Sequence, residues 1–317
     1  MNIVMLEPLG VSEARVMEAA RPLLDQGHNV VYCDAPIPTV EEKIARARDA
    51  EAIIIANGKL APEVILGLPD LKMISVGFTG IDHVPVDLCR ERGIRICNAQ
   101  GYATDATAEL ALALMLATLR NLVVYDDRAR HGQTKAGFTN HVLTGKTVGI
   151  VGTGAIGLRL AELLQPFHCE LLGYSRSRRE AAEALGLTYV SKEELLGRSD
   201  IVSLHVPLTE ATEGLMDAAA LRMMKPGAVL INCARGAVVD SEALAQALDD
   251  GHLAGAGIDV LETEPPFPKD HVLLHAPNVT VTPHVGFFSE ASLADRIDIV
   301  MNNIVQWLRG TPINVKV

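Results

Sequence analysis

Thr147-Val148-Gly149-Ile150-Val151-Gly152-Thr153-Gly154-Ala155-Ile156-Gly157 decides how this chain folds. An apolar run of strand length leads into three glycines spaced G-x-G-x-x-G, and Leu158–Leu164 continues with a helical pattern. Strand, glycine turn and helix in that order form the dinucleotide-binding fingerprint. Gly152 suits the tight turn, Gly154 the close approach of backbone to a pyrophosphate, and Gly157 close helix–strand packing. The first turn of the helix offers unpaired N–H groups and a positive dipole end to phosphates. The competing reading is a glycine-rich turn that binds nothing.

Downstream, Glu170–Tyr174 reads as the second strand of the unit and ends in Tyr174-Ser175-Arg176-Ser177-Arg178-Arg179. An NAD site places Asp or Glu here to hold the ribose 2′-OH. Ser175 stands in its place and Arg176 follows. A carboxylate repels a 2′-phosphate, whereas a guanidinium grips it bidentately. The pattern predicts NADP preferred, with NAD as the alternative if the turn is only a solvated basic loop. Further strands follow at Asp200–Leu204, Ala228–Asn232, Ala254–Ile258 and Val279–Val281. They lead into His205-Val206-Pro207-Leu208-Thr209, Cys233-Ala234-Arg235-Gly236, Asp259 and Pro283-His284-Val285-Gly286. Ionisable residues thus recur beyond strand C-termini, along the edge where an α/β sheet binds its ligand. Ser191 and Glu194 have capping-box spacing, and Asp240 or Ser241 caps a helix over Glu242–Leu248.

Upstream, strands are expected at Ile3–Leu6, Asn29–Tyr32, Ala52–Ile55, Lys72–Val76 and Ile94–Cys97. Helical patterns at Ser12–Gln26, Glu41–Ala50, Pro62–Leu66 and Val86–Arg92 alternate with them, which implies a second parallel sheet. This segment has no glycine fingerprint. After its fourth strand, Val76-Gly77-Phe78-Thr79-Gly80 is either a carboxylate-binding loop or a plain βα turn. One helix is expected from Thr104 to about His131, rich in small residues and suited to a dimer contact or an ordinary core. Ser289–Leu308 is amphipathic, with Leu293, Ile297, Val300, Met301, Ile304 and Trp307 on one stripe. It is expected to return to the first domain. The expected architecture is α/β: a Rossmann dinucleotide-binding domain over residues 99–287, and a smaller flavodoxin-like α/β substrate domain over 1–98 and 288–317. Both sheets are parallel. Two crossings make a hinge, with the substrate in the cleft between the domains.

At 317 residues and 49% hydrophobic, the chain suits two domains. A net charge of −11 argues against nucleic-acid and anionic-membrane surfaces. The N-terminal stretch lacks a basic region before its apolar run, and Leu110–Leu119 is too short to span a bilayer. Five scattered cysteines, without a CxxC, read as reduced thiols of a cytoplasmic protein. His271 and His275 have i, i+4 spacing but no HExxH context, so no metal is expected.

Five motifs in order carry a resemblance over nearly the whole chain. They are Gly152–Gly157; His205-Val206-Pro207-Leu208-Thr209 with Thr212; Asn232-Cys233-Ala234-Arg235-Gly236; Asp259-Val260-Leu261-Glu262-Thr263-Glu264-Pro265; and Thr282-Pro283-His284-Val285-Gly286. The chain resembles the D-isomer-specific 2-hydroxyacid dehydrogenases. The resemblance implies a catalytic set of Arg235, Glu264 and His284. It places further cofactor contacts on Thr107, Ala155, Ile156, Ser175, Arg176, His205, Val206, Pro207, Thr212, Cys233, Ala234 and Asp259. Asp259 would accept from the nicotinamide carboxamide, and the backbone of Val76 and Gly77 would meet the substrate carboxylate. The chemistry fits those types. Reducing a 2-oxo acid needs a hydride on C2, a proton on its oxygen and a cation for its carboxylate. Arg235 can fork onto the carboxylate. His284 can give and take a proton near neutral pH. Glu264 can hold the imidazole in orientation. Each also has a plain structural reading, including an Arg235–Asp240 pair. Phe138 stands where many relatives carry Trp. The expected function is hydride transfer between NADP(H) or NAD(H) and a small 2-oxo or (R)-2-hydroxy acid of the glyoxylate or hydroxypyruvate type, by a homodimer. NAD-dependent oxidation of D-3-phosphoglycerate is an alternative, with only Lys59 or His83 to meet the phosphate. A dinucleotide-sensing corepressor is another.

Overall fold

The computed structural model describes residues 1–137 and 139–317, so Phe138 lies outside the described residues. The chain divides into two compact units, Met1–Ala103 with Phe288–Val317, and Thr104–Phe287.

The first unit is built on five parallel strands: β1 (Asn2–Met5), β2 (Asn29–Val31), β3 (Ala52–Ile55), β4 (Met73–Val76) and β5 (Arg95–Asn98). Their order is β2-β1-β3-β4-β5, the flavodoxin-like arrangement. β3 and β4 are buried at every position, as central parallel strands covered on both faces must be. The expected Ser12–Gln26 helix is in fact two, Glu13–Ala19 and Arg21–Leu24. Pro22 sits in the first turn of the second, where its missing N–H costs nothing. The helix Glu290–Leu308 also belongs to this unit. Leu293, Ile297, Val300, Met301 and Ile304 are buried along it, and the Val300 carbonyl accepts from Ser75 Oγ of β4 at 3.0 Å. The tail then runs antiparallel along β5, with Cys97 opposite Val315 and the Asn98 N–H on the Asn314 carbonyl. The unit extends past the expected limit at Asn98 because residues 99–103 fold back onto it. Ala99 N–H donates to the Phe78 carbonyl, and the Tyr102 ring lies 6.0 Å from that of Phe78.

The second unit has seven parallel strands: β6 (Thr147–Val151), β7 (Glu170–Tyr174), β8 (Thr188–Tyr189), β9 (Ile201–Leu204), β10 (Ala228–Asn232), β11 (Leu253–Ile258) and β12 (Val279–Val281). The order β12-β11-β10-β9-β6-β7-β8 reverses direction between β9 and β6. That reversal is the place where doubly wound sheets open a crevice for ligand. β8 is absent from the sequence reading, being an edge pair of residues too short for periodicity to show. The expected Thr104–His131 helix is also two, Thr104–Leu119 and Leu122–Arg130, bent by 59°. Asn121 makes the break with φ +50°, a left-handed conformation that Asn tolerates. Its Nδ2 donates to the Thr139 carbonyl and Asn140 Oδ1. Among the described residues no single helix is long and apolar enough to cross a membrane.

Candidate active site

β6 ends in the glycine turn and the helix Ala155–Leu164 begins there. Gly152 has φ +95°, and a Cβ on it would lie 2.5 Å from the His205 carbonyl oxygen. A Cβ on Gly157 would lie 2.1 Å from the Gly152 carbonyl oxygen. Packing therefore demands both glycines. Gly154 differs: its Cβ would meet nothing within 4 Å. It is also the N-cap, with no side chain bonding to the helix's first N–H groups. Open space in front of uncapped amides, at the first turn formed by Ala155 and Ile156, fits a phosphate.

That space continues as a cleft of about 290 Å³ at the C-terminal ends of β6, β7 and β9. Gly152, Gly154, Ser175, Arg176, His205, Val206, Pro207 and Thr212 all line it, together with Thr153 and Arg179. Thr212 Oγ1 donates to the Pro207 carbonyl at 2.6 Å and accepts the Thr209 N–H, which shapes the loop after β9. His205 bonds Ser203 Oγ through Nε2 at 2.9 Å. Its Nδ1 is shut off from solvent and has no hydrogen-bond partner among the described residues. Burial lowers the imidazole's pKa to about 4, so the ring is neutral at pH 7. An orphaned ring nitrogen beside the glycine turn is the kind of group a polar ligand satisfies.

The low value has a stability consequence. The unfolded chain binds a proton at His205 below its ordinary pKa of 6.5, and the folded chain does so only near 4. Stability is therefore whole above 6.5 and declines as pH falls toward 4. Between pH 7 and 5 this one group should remove about 2 kcal/mol. Urea midpoints of wild type and His205→Gln across that range test it. Parallel decline in the two proteins would contradict the assignment.

Arg235, Glu264 and His284 follow β10, β11 and β12, three neighbouring strands. Asn232, buried at the end of β10, builds the first turn: its Nδ2 donates to the Arg235 carbonyl and its Oδ1 accepts the Ala234 N–H. Cys233 and Ala234 form that turn. The Cys233 thiol is pushed well above its ordinary range by burial and then by the nearby Asp259 charge. A Cβ on Gly236 would fall 1.9 Å from the Leu261 carbonyl carbon. The segment after Arg235 thus lies directly on the loop after β11. Arg235 Nη1 donates to the Ala234 carbonyl at 2.8 Å. Asp240, the alternative partner for Arg235, instead caps the next helix by accepting the Ala243 N–H.

His284 Nδ1 lies 2.7 Å from Glu264 Oε2. His284 has φ +54°, a left-handed conformation uncommon outside glycine. Asp259 holds that shape. Its carboxylate is buried and accepts from Thr282 Oγ1 at 2.6 Å, Val285 N–H at 2.8 Å and Gly286 N–H at 2.8 Å. Its own carbonyl accepts the His284 N–H. Thr107 closes the far side, its Oγ1 donating to the Gly286 carbonyl. Asp259, Thr107, Cys233 and Ala234 lie outside the glycine cleft's lining, around the loops of the ionisable set. Glu262 is a residue whose part the sequence reading missed. It accepts from Ser241 Oγ at 2.6 Å and pairs with His271 Nε2 at 2.9 Å, anchoring the loop that carries Glu264. Burial pushes its carboxyl up, but the bonds from Ser241 and His271 hold it below the usual range. His275 bonds the Lys269 carbonyl, so both histidines have protein partners.

In the first unit, Val76 ends β4 and is buried. The Gly77 N–H bonds the Ile55 carbonyl at 2.8 Å because the β3–β4 ladder runs one residue further.

Comparison with known proteins agrees with this geometry. Residues 112–286 match the family described as D-isomer specific 2-hydroxyacid dehydrogenase, NAD binding domain. The chain is 39% identical over 290 residues to a glyoxylate reductase of Thermococcus litoralis, covering 88% of this chain and 87% of that protein. It is 31% identical over 296 residues to a hydroxypyruvate reductase of Blautia hydrogenotrophica, covering 91% and 92%. The structure of an acyclic imino acid reductase in complex with NADPH and D-Arg superposes with a TM-score of 0.89, at 28% identity and full coverage of both chains. Sheet order, glycine turn and sequence all converge: the chain belongs to the D-isomer-specific 2-hydroxyacid dehydrogenases, oxidoreductases that act on a CH–OH carbon with a nicotinamide dinucleotide.

Proposed function

We propose that this chain reduces small 2-oxo acids of the glyoxylate or hydroxypyruvate type to (R)-2-hydroxy acids, with NADPH preferred to NADH. The observation that carries this reading is the Glu264–His284 pair, held on a loop wired to a buried Asp259. A bound nicotinamide dinucleotide supplies the hydride for the carbonyl carbon. Arg235 forks onto the substrate carboxylate and polarises the carbonyl. With Nδ1 engaged by Glu264, His284 delivers a proton from Nε2 to the carbonyl oxygen, completing the CH–OH group. Asp259 uses three of its four acceptor positions on the loop, leaving one for a carboxamide. The first unit acts as the substrate domain, with the loop opened by Val76 and Gly77 taking part in substrate binding.

NADPH preference is supported by Ser175 and Arg176, which line the cleft where a carboxylate would face the ribose. Five unpaired cysteines support a cytoplasmic setting. Leu122 and Val123, more than half exposed on the helix Leu122–Arg130, support contact with a second copy of the chain. The test is turnover of purified protein on a panel of 2-oxo acids with each nicotinamide. NADPH should give the higher kcat/KM with glyoxylate or hydroxypyruvate. Arg176→Ala should reduce that advantage about tenfold or more. A wild type that favours NADH, or no oxidation of either nicotinamide, would refute the corresponding part.

A further inference from the structure

Ser175, Arg176, Ser177 and Arg179 of the basic turn line the same cleft as the glycine turn, beside it at the ends of the paired strands β6 and β7. One side chain joins them. Tyr189 Oη accepts the Arg179 N–H at 3.0 Å and shares a hydrogen bond with Thr153 Oγ1 at 2.8 Å. Thr153 is buried between Gly152 and Gly154. Arg179 is the N-cap of the helix Glu180–Ala184 and makes no side-chain capping bond of its own. The Tyr189 ring also lies under Arg178, whose guanidinium carbon is 5.7 Å from the ring centroid. Tyr189 reaches both turns because β8 pairs beside β7, with Tyr189 opposite Gly173 and the Val190 N–H on the Gly173 carbonyl.

We propose that Tyr189 is a positioning residue that fixes the basic turn relative to the glycine turn and thereby sets discrimination between NADPH and NADH. The inference rests on the reading of Ser175–Arg179 as the 2′-phosphate site. The two cofactors share the pyrophosphate, which the glycine turn receives, and differ only in the 2′-phosphate. A strut between the turns matters to a ligand that must satisfy both turns at once. It matters little to one that engages the glycine turn alone. The phenol is half-buried at a sheet edge, so its hydroxyl can be removed without opening the core.

The test is the dissociation constants of NADPH and NADH for wild type, Tyr189→Phe and Tyr189→Leu, with thermal midpoints alongside. Tyr189→Phe keeps the ring under Arg178 and strands the Arg179 N–H. It should weaken NADPH binding about three- to tenfold, the effect of one or two lost hydrogen bonds, and NADH binding less than twofold. Tyr189→Leu removes the ring as well and should lower the NADPH advantage further. An equal loss for both cofactors would show only general loosening and overturn the proposal, as would no loss at all. If Tyr189→Leu does not fold, Tyr189→Phe decides. The wild-type ratio tests the 2′-phosphate reading separately: a wild type favouring NADH refutes that reading, while the change in ratio on substitution still judges Tyr189.

Discussion

His284→Asn is expected to lower kcat for 2-oxo acid reduction by about 10²- to 10⁴-fold, the usual contribution of a positioned general acid. Asparagine is the informative replacement because of the backbone. His284 sits at φ +54°, and among non-glycine residues Asn accepts that conformation most readily. The loop should keep its shape, and cofactor affinity and thermal midpoint should stay near the wild-type values. What disappears is the proton donor. Glu264→Gln should act in the same direction with smaller size, since it leaves the imidazole in place and removes only the charged partner 2.7 Å from Nδ1. The measurement is single-turnover reduction at saturating cofactor. Retention of more than a tenth of the wild-type rate by His284→Asn would remove this histidine from the chemistry.

Asp259→Asn should do damage of a different kind. The carboxylate of Asp259 is buried and accepts three hydrogen bonds, two of them from backbone amides. An amide in its place can accept at one atom, but its NH2 must then face an N–H. One buried donor pair is left opposed, which costs about 1–3 kcal/mol. Because the loop also sets His284, kcat should fall by at least tenfold as the imidazole loses its alignment. Urea midpoint and kcat should therefore drop together in this variant, whereas in His284→Asn only kcat should drop. An unchanged midpoint for Asp259→Asn would mean that the loop keeps its form without the carboxylate.

The same residues show how far a sequence carries. The glycine turn, the alternation of strands with helices and the polar residues beyond strand ends all follow from local pattern, and the two parallel sheets appear where that pattern places them. Asp259 was readable as a site residue but not as the clamp of the His284 loop. Its partners lie more than twenty residues away, across the gap from β11 to β12. Tyr189 was invisible for a related reason. It is one of two residues in β8, and its importance comes from two turns that meet only after β6, β7 and β8 pair. The break at Asn121 is local, yet apolar periodicity continues across it, so pattern alone runs the helix straight through. Gly77 is a further case: only the register of β3 against β4 reveals that the Ile55 carbonyl holds its N–H.

The antiparallel pairing of Asn314–Val317 with β5 has a consequence for synthesis on the ribosome. Every residue of the second unit is available once Phe287 has emerged, and that unit can fold as translation proceeds. The first unit, although made earliest, waits with β5 unpaired on one side and β4 uncovered by its helix until the final residues arrive. A released chain truncated after Phe287 should therefore present a protease-resistant second unit attached to a protease-sensitive leading segment.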